Sequence, residues 1–194
     1  VSTLGKDYLK PEVPLLLIRQ GKDIYSTIRQ AYQALMKNTE AADLKSRTAK
    51  EYFEAFRYLG WCTWEHYHDD INESKVINDM KTIEASGIPI RYVLIDDGHL
   101  AHKNRQLTDF IPDKQRFPSG WKKIMSYKKE NKIKWIGLWY SLSGYWMGLS
   151  PENGFPQVVR QALYPHAGSL LPGTDSTHIR SFYRYYVRTL KKQR

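Results

Sequence analysis

Cysteine is almost missing from this sequence. Cys62 is the only one, which excludes an intrachain disulfide framework and leaves the redox compartment undetermined. It lies in an apolar stretch and reads as a small buried hydrophobe rather than a nucleophile. Long hydrophobic runs are missing too. LLLI at positions 15–18 is the longest near the start, far short of the roughly 20 residues that a membrane span needs. No charged-then-apolar leader precedes it, so no membrane partner is expected. There is no internal repeat and no low-complexity tract. A glycine-rich phosphate turn is also absent: EHYHDDIN, which follows the first candidate strand, has no glycine, which argues against a nucleotide-binding doubly wound sheet. The chain begins at Val1 rather than Met, which raises the expectation of a processed chain or a piece of something longer.

The chain has 194 residues, of which 41% are hydrophobic and 13% aromatic, a globular composition with room for one or two domains and a core. Its formal charge is +10, and a basic surface is the footprint of phosphate binding. The cations are scattered, however. Only the tail RYYVRTLKKQR interleaves them with aromatics, as a surface that stacks single-stranded bases would. In that tail Ile179, Phe182, Tyr183, Tyr186, Val187 and Leu190 recur at helical spacing. The simpler reading is one buried stripe with a solvated basic face, and nucleic acid is disfavoured as a partner.

From Phe56 onward a short apolar run, a polar loop and a segment of helical period repeat three times, the signature of βα units. The first run is RYLGWCTW. It is followed by NESKVINDMKTIEASG, where Asn72 can cap a helix, Val76, Met80 and Ile83 line one face, and Gly87 closes it. The second run is IRYVLIDD. After a loop to about Ser119, GWKKIMSYKKENK reads as a helix and IKWIGLWYS as the third strand. A long loop containing SGYWMGLSPENGFP comes next, and then a last helix capped by Asp175 or Ser176. Residues 1–55 differ: VPLLLIRQ suits a final strand of a preceding sheet, and DIYSTIRQAYQALMKN has Ile24, Ile28, Ala31, Tyr32 and Leu35 at helical spacing. The expectation is an α/β fold: the first part of a (β/α)8 barrel, about three βα units over residues 56–194, preceded by a linker helix within residues 1–55.

Strands apolar on both faces belong to a parallel sheet covered by helices, with ligand sites beyond the carboxyl ends of the strands. Trp64, the pair Asp96 and Asp97, and Trp139 each fall at the end of a different strand, where a barrel builds its active site. Carboxylates and tryptophans converging there suit a sugar: carboxylates accept from vicinal hydroxyls, and an indole face covers the C–H patch of a pyranose. Read singly, Trp64 is equally a core aromatic and Asp96–Asp97 equally a turn or cap. His66, His68, Asp69 and Asp70 in EHYHDD hold metal-ligand atoms, but two histidines one residue apart without a distant third partner read as a solvated loop.

LGWCTW, GIPIRYVLIDDG, DKQRFPSGWKKI and IKWIGLWYSLSGYWMGLSPE, in that order and spacing over about residues 56–156, resemble the barrel of glycoside hydrolase family 36 in its raffinose synthase and α-galactosidase branch. The resemblance implies a (β/α)8 barrel following a β-sandwich that lies outside this chain. It also implies retaining hydrolysis or transfer of α-galactosyl groups from raffinose-type oligosaccharides, without metal or other cofactor. Trp64 becomes an aromatic wall of a galactose pocket, Asp96 and Asp97 the acceptors for the O4 and O6 hydroxyls, and Trp139 and Trp146 further lining. Where the family often has Asp after WCTW and an aromatic after IDDG, this chain has Glu65 and His99.

Retaining glycosidases use two carboxyls roughly 5 to 5.5 Å apart. The family's pair belongs to its fourth and sixth strands, whereas this chain stops at Arg194, on the helix expected to lead into the fourth strand. No catalytic residue is therefore expected within the chain; neighbouring Asp96 and Asp97 point to opposite sides of a strand and cannot flank one bond. The alternatives are a non-catalytic carbohydrate-binding module or a nucleic-acid-binding one. Besides the sugar, the partners foreseen are a second copy or the remainder of its own chain.

Overall fold

The computed structural model describes residues 16–38, 47–141, 143–161, 163–166, 168–172 and 176–192. They belong to two compact units, Val1–Tyr52 and Phe53–Arg194. In the first, helix α1 spans Ile24–Asn38. Asp23 starts it by accepting the Ser26 amide at 2.7 Å, which satisfies one of the amides orphaned at a helix start. Ile24, Ile28 and Tyr32 of its apolar stripe are exposed. Of the expected strand VPLLLIRQ, residues 16–20 are in no strand, and residues 13–15 lie outside the described residues.

The second unit is built on three parallel strands, β1 (Leu59–Cys62), β2 (Ile90–Ile95) and β5 (Trp135–Leu138), in the order β1-β2-β5. Cys62 is level with Leu94, and Leu94 with Gly137. The period of two divides the side chains between the faces. Val93 and Ile95 are fully buried, and with Trp61, Ile136 and Leu138 they meet helices α3 (Glu73–Ala85) and α4 (Lys122–Ser126) through Val76, Met80, Trp121 and Ile124. Gly60, Cys62, Tyr92, Leu94 and Gly137 have the opposite parity. Space is tight on that face: a Cβ on Gly60 would overlap the Tyr92 ring, and one on Gly137 would come within 3.2 Å of Leu94.

Helix α3 begins and ends where its residues dictate. The Asn72 side chain accepts the Lys75 amide at 3.0 Å, and Gly87 takes a φ of +73° just beyond the C-terminal Ser86. Helix α4 is shorter than the sequence pattern predicts. The chain turns back at Lys129, whose amide donates to Ile133, so that Ile133 reaches the core and Lys134 donates to Arg91 at the start of the sheet.

Two antiparallel hairpins are the largest departure from expectation. β3 (Leu100–Lys103) pairs with β4 (Gln106–Pro112), and β6 (Leu163–His166) with β7 (Ser169–Pro172), where the sequence suggested only loops. Leu149 joins them, bridging to Leu107 on one side and Leu170 on the other. A second core cluster forms there from Leu100, Leu107, Phe110, Leu149, Phe155 and Phe182. Two short helices, α2 (Trp64–Tyr67) and α5 (Gln157–Arg160), sit in the connections, and α6 spans Ser176–Lys192. Of its apolar stripe Phe182 is buried, Tyr183 half-buried and Val187 exposed, so the stripe is only partly covered; the proposed cap Asp175 lies outside the described residues. Among the described residues no helix is long and apolar enough to cross a membrane.

Candidate functional site

The carboxyl ends of the three parallel strands lie side by side, and each delivers a predicted residue. Beyond β1, the Thr63 amide donates to Leu94 at 3.1 Å and Trp64 follows at the start of α2; beyond β5, the Trp139 amide donates to Ile95 at 2.9 Å. Asp96 and Asp97 come directly after β2. The strand alternation aims the two carboxylates apart, and their surroundings differ accordingly.

Asp96 shares the parity of Cys62 and Leu94 and is half-buried. Its amide donates to the Thr63 hydroxyl at 2.9 Å. One carboxylate oxygen accepts the Asp97 amide at 2.8 Å, and the other accepts the Cys62 thiol at 3.2 Å. Burial, with the neighbouring Asp96, pushes the Cys62 thiol above its ordinary range, which keeps its proton available as a donor. Cys62 is thus half-buried and bonded to the site, more than a space-filling hydrophobe.

Asp97 is only 2% exposed. The Gly98 amide donates to Oδ1 at 2.6 Å, the Tyr145 hydroxyl donates to the same oxygen, and the Trp146 indole Nε1–H donates to Oδ2. Both aromatic donors come from the turn that follows β5. Burial, reinforced by the Asp97 charge, raises the Tyr145 phenol above its ordinary pKa and keeps it a donor. Gly98 has a φ of +97°, and a Cβ there would overlap the Asp69 carbonyl oxygen, so the glycine of the DDG run is needed on both counts. Arg116 donates to the Gly98 carbonyl at 3.1 Å and also to the Asp69 carbonyl, tying the loops after β1 and β2 together.

His99 closes the turn. Fully buried, its Nδ1 lies 2.8 Å from the Asp96 carbonyl, an acceptor, so Nδ1 carries the proton and Nε2 is left as a bare lone pair. Burial pushes its pKa down to about 4, and the ring is neutral at ordinary pH. Rings assemble around the rim. Trp146 stacks on Trp139 with centroids 5.6 Å apart, Tyr145 stacks on His102 at 4.6 Å, and the Arg105 guanidinium lies 5.5 Å from the Trp146 ring centre. Trp146 is 51% exposed, which leaves indole surface at the rim. Trp64 is half-buried and meets His68 edge-on at 5.0 Å.

The geometry therefore joins Asp96, Asp97, Trp139 and Trp146 in one contact network, while Trp64 stands next to it through the backbone of Thr63. Sequence reasoning passed over Tyr145, Thr63 and the polar role of Cys62. The available signal was the need of a buried carboxylate for donors, with Tyr145 directly preceding a residue already singled out. Among the described residues no group of three His, Cys, Asp or Glu could hold a metal ion; His66 lies 3.7 Å from Asp79, and His68 packs on Trp64.

Residues 12–116 match the family described as raffinose synthase or seed imbibition protein Sip1. The chain belongs to that family, in the raffinose synthase and α-galactosidase branch of glycoside hydrolase family 36. It is similar to a probable galactinol–sucrose galactosyltransferase 6 of Arabidopsis thaliana, 24% identical over 84% of this chain and 24% of the relative. It is also similar to an α-galactosidase of Oryza sativa subsp. japonica, 30% identical over 44% of this chain and 21% of the relative. The family 36 α-galactosidase AgaA of Geobacillus stearothermophilus, solved in complex with stachyose, superposes with a TM-score of 0.51 at 20% identity, covering 84% of this chain and 22% of that one. The mixed α/β fold is thus that of family 36 α-galactosidases. The chain spans about a quarter of the length of the galactosyltransferases it matches.

Proposed function

We propose that this chain forms the first three βα units of a (β/α)8 barrel and supplies the galactosyl-recognising part of an enzyme that hydrolyses or transfers α-galactosyl groups of raffinose-type oligosaccharides. The single observation that carries this reading is the convergence of carboxylates and indoles at the carboxyl ends of adjacent parallel strands, the place where such barrels bind substrate. Asp96 stands at the mouth with acceptor capacity left over, because an ionised carboxylate offers about four lone-pair sites and the described donors use two. Trp64, Trp139 and Trp146 offer aromatic surface for the C–H face of a sugar ring. The linker role of α1 and a domain boundary near residue 55 belong to the same proposal. Asp96 and Asp97 diverge from one strand end and so do not form a nucleophile and acid pair.

The test is a titration of the chain with raffinose, followed by tryptophan fluorescence and calorimetry. Raffinose should perturb the indole emission and bind, and Asp96→Asn should weaken binding by at least about 10-fold, the scale of one hydrogen bond to a charged acceptor. Equal binding by Asp96→Asn and the unsubstituted chain would remove the sugar-acceptor role. Binding of an oligonucleotide that collapses with added salt, with no response to raffinose, would favour the basic-surface alternative.

A further inference from the structure

The positive charge of the chain is unevenly placed. From Ser176 to Arg194 there are six Lys and Arg and no Asp or Glu, a net +6 in 19 residues, whereas the other 175 residues carry +4. Helix α6 turns that stretch into a face. With about 3.6 residues per turn, Tyr183, Val187, Lys191, Arg184 and Arg188 fall in that order within an arc of about 140°. Arg184, Val187, Arg188 and Lys191 are exposed and Tyr183 is half-buried. These are the described residues that line an open groove of about 460 Å³ along the helix, with an apolar strip on one side and cations on the other.

The opposite side of the helix is already engaged. Phe182 meets Phe110 at 5.4 Å, Tyr185 meets Phe155 at 5.8 Å, and Tyr183 packs edge-on against Phe182. These rings serve the core, so they are not a platform for stacked bases, and a single-stranded nucleic acid loses its main apolar attraction here. The cations differ from those elsewhere in the second unit. Lys75, Lys129 and Lys134 each pair with a carboxylate at 2.8 Å or less. Among the described residues no carboxylate pairs with Arg184, Arg188 or Lys191, and α6 supplies none of its own.

We propose that the outer face of α6 docks on the surface of an anionic phospholipid bilayer. Charge complementarity carries the choice of partner. Clustered Lys and Arg on an amphipathic helix attract acidic headgroups, and an arginine fork donates two hydrogen bonds to one phosphate. Long Arg and Lys stems keep their charges at the headgroup plane while the helix lies along it. The apolar strip separates a bilayer from other polyanions: Val187 and Tyr183 meet the first methylenes and the interfacial layer that tyrosine favours, whereas a sugar–phosphate backbone offers them nothing. Such attachment needs no spanning segment, and none is found among the described residues. It is independent of the sugar site.

The test is co-sedimentation of the 194-residue chain with phosphatidylcholine vesicles, pure or containing about 30% phosphatidylserine as the anionic lipid. At about 0.1 M salt the chain should sediment with the anionic vesicles and stay in solution with the neutral ones; at about 1 M, where the Debye length shrinks to about 3 Å, it should be released. Arg184→Gln with Arg188→Gln, two exposed changes that keep helix propensity, should lower the partition coefficient roughly tenfold to thirtyfold. Lys122→Gln with Lys128→Gln removes the same charge from exposed positions in and just beyond α4 and should change it less than about threefold. Equal losses in the two double variants would mean that overall charge, and not this face, makes the contact, and would overturn the proposal. So would sedimentation with neither kind of vesicle. Tighter binding of a single-stranded oligonucleotide or of polyglutamate, at an equal concentration of anionic groups, would assign the face to nucleic acid or to an acidic protein and overturn the lipid reading as well.

Discussion

A buried histidine shows how far one position can depend on its surroundings. His99 stands where the family often has an aromatic residue, and it behaves like one, packing its ring against Trp121 and Tyr140 at 5.4 Å each. The Asp96 carbonyl fixes its tautomer, and burial pushes its pKa down to about 4 from an ordinary 6.5. The folded chain refuses a proton that the unfolded chain takes up below about pH 6.5. Stability from this residue is fully present above that pH and falls as pH drops toward 4, by up to about 3 kcal/mol over the window. Two measurements check this. The His99 ring resonance should be flat from pH 8 to about 5 and titrate only below. Urea unfolding should lose stability more steeply between pH 6.5 and 5 than in His99→Phe. A midpoint near 6.5 for His99 would contradict its burial and, with it, the tight closure of the turn behind Asp96 and Asp97.

At the scale of elements, legibility followed the strength of the periodic signal. The three parallel strands were readable because runs such as YVLI are apolar and short, and α3 because Asn72, an apolar face at Val76, Met80 and Ile83, and Gly87 agree with one another. The hairpins were not. β3 and β4 contain His102, Lys103, Gln106, Asp109 and Pro112, and their turn runs through Asn104 and Arg105, both at positive φ, without the glycine that normally advertises such a turn. Their stability comes from Leu107 and Phe110 packing on Leu149 and Phe155, residues about 40 positions away, which no local window connects. Part of the site was hidden for the same reason: Tyr145 and Asp97 are 48 residues apart, and only the sheet brings them together. The cap of α3 gives a local prediction. Asn72→Ala should lower stability by about 1 kcal/mol while Asn72→Asp stays near neutral, as read by denaturant midpoints. Equal losses in both would mean that position 72 acts through something other than the Lys75 amide.

For the second unit as a whole, the sheet poses a problem of edges. Its order β1-β2-β5 leaves the outer sides of β1 and β5 without a strand among the described residues. β1 carries no charge, and Leu59 on it is 58% exposed beside Tyr58, Phe56 and Phe53, each more than 40% exposed. An uncharged, apolar edge invites pairing with another strand, which natural proteins prevent with charges, bulges or a covering element. The formal charge of +10 opposes association only over about one Debye length, some 8 to 10 Å at physiological salt, and weakens as salt is added. The chain should therefore self-associate as its concentration rises in sedimentation velocity runs, and more so at higher ionic strength. Leu59→Lys places a cation on the edge without touching a buried contact and should shift the distribution back toward monomer. A single monomeric species across concentration and salt, unaltered by Leu59→Lys, would show that the exposed edge is protected by an element outside the described strands.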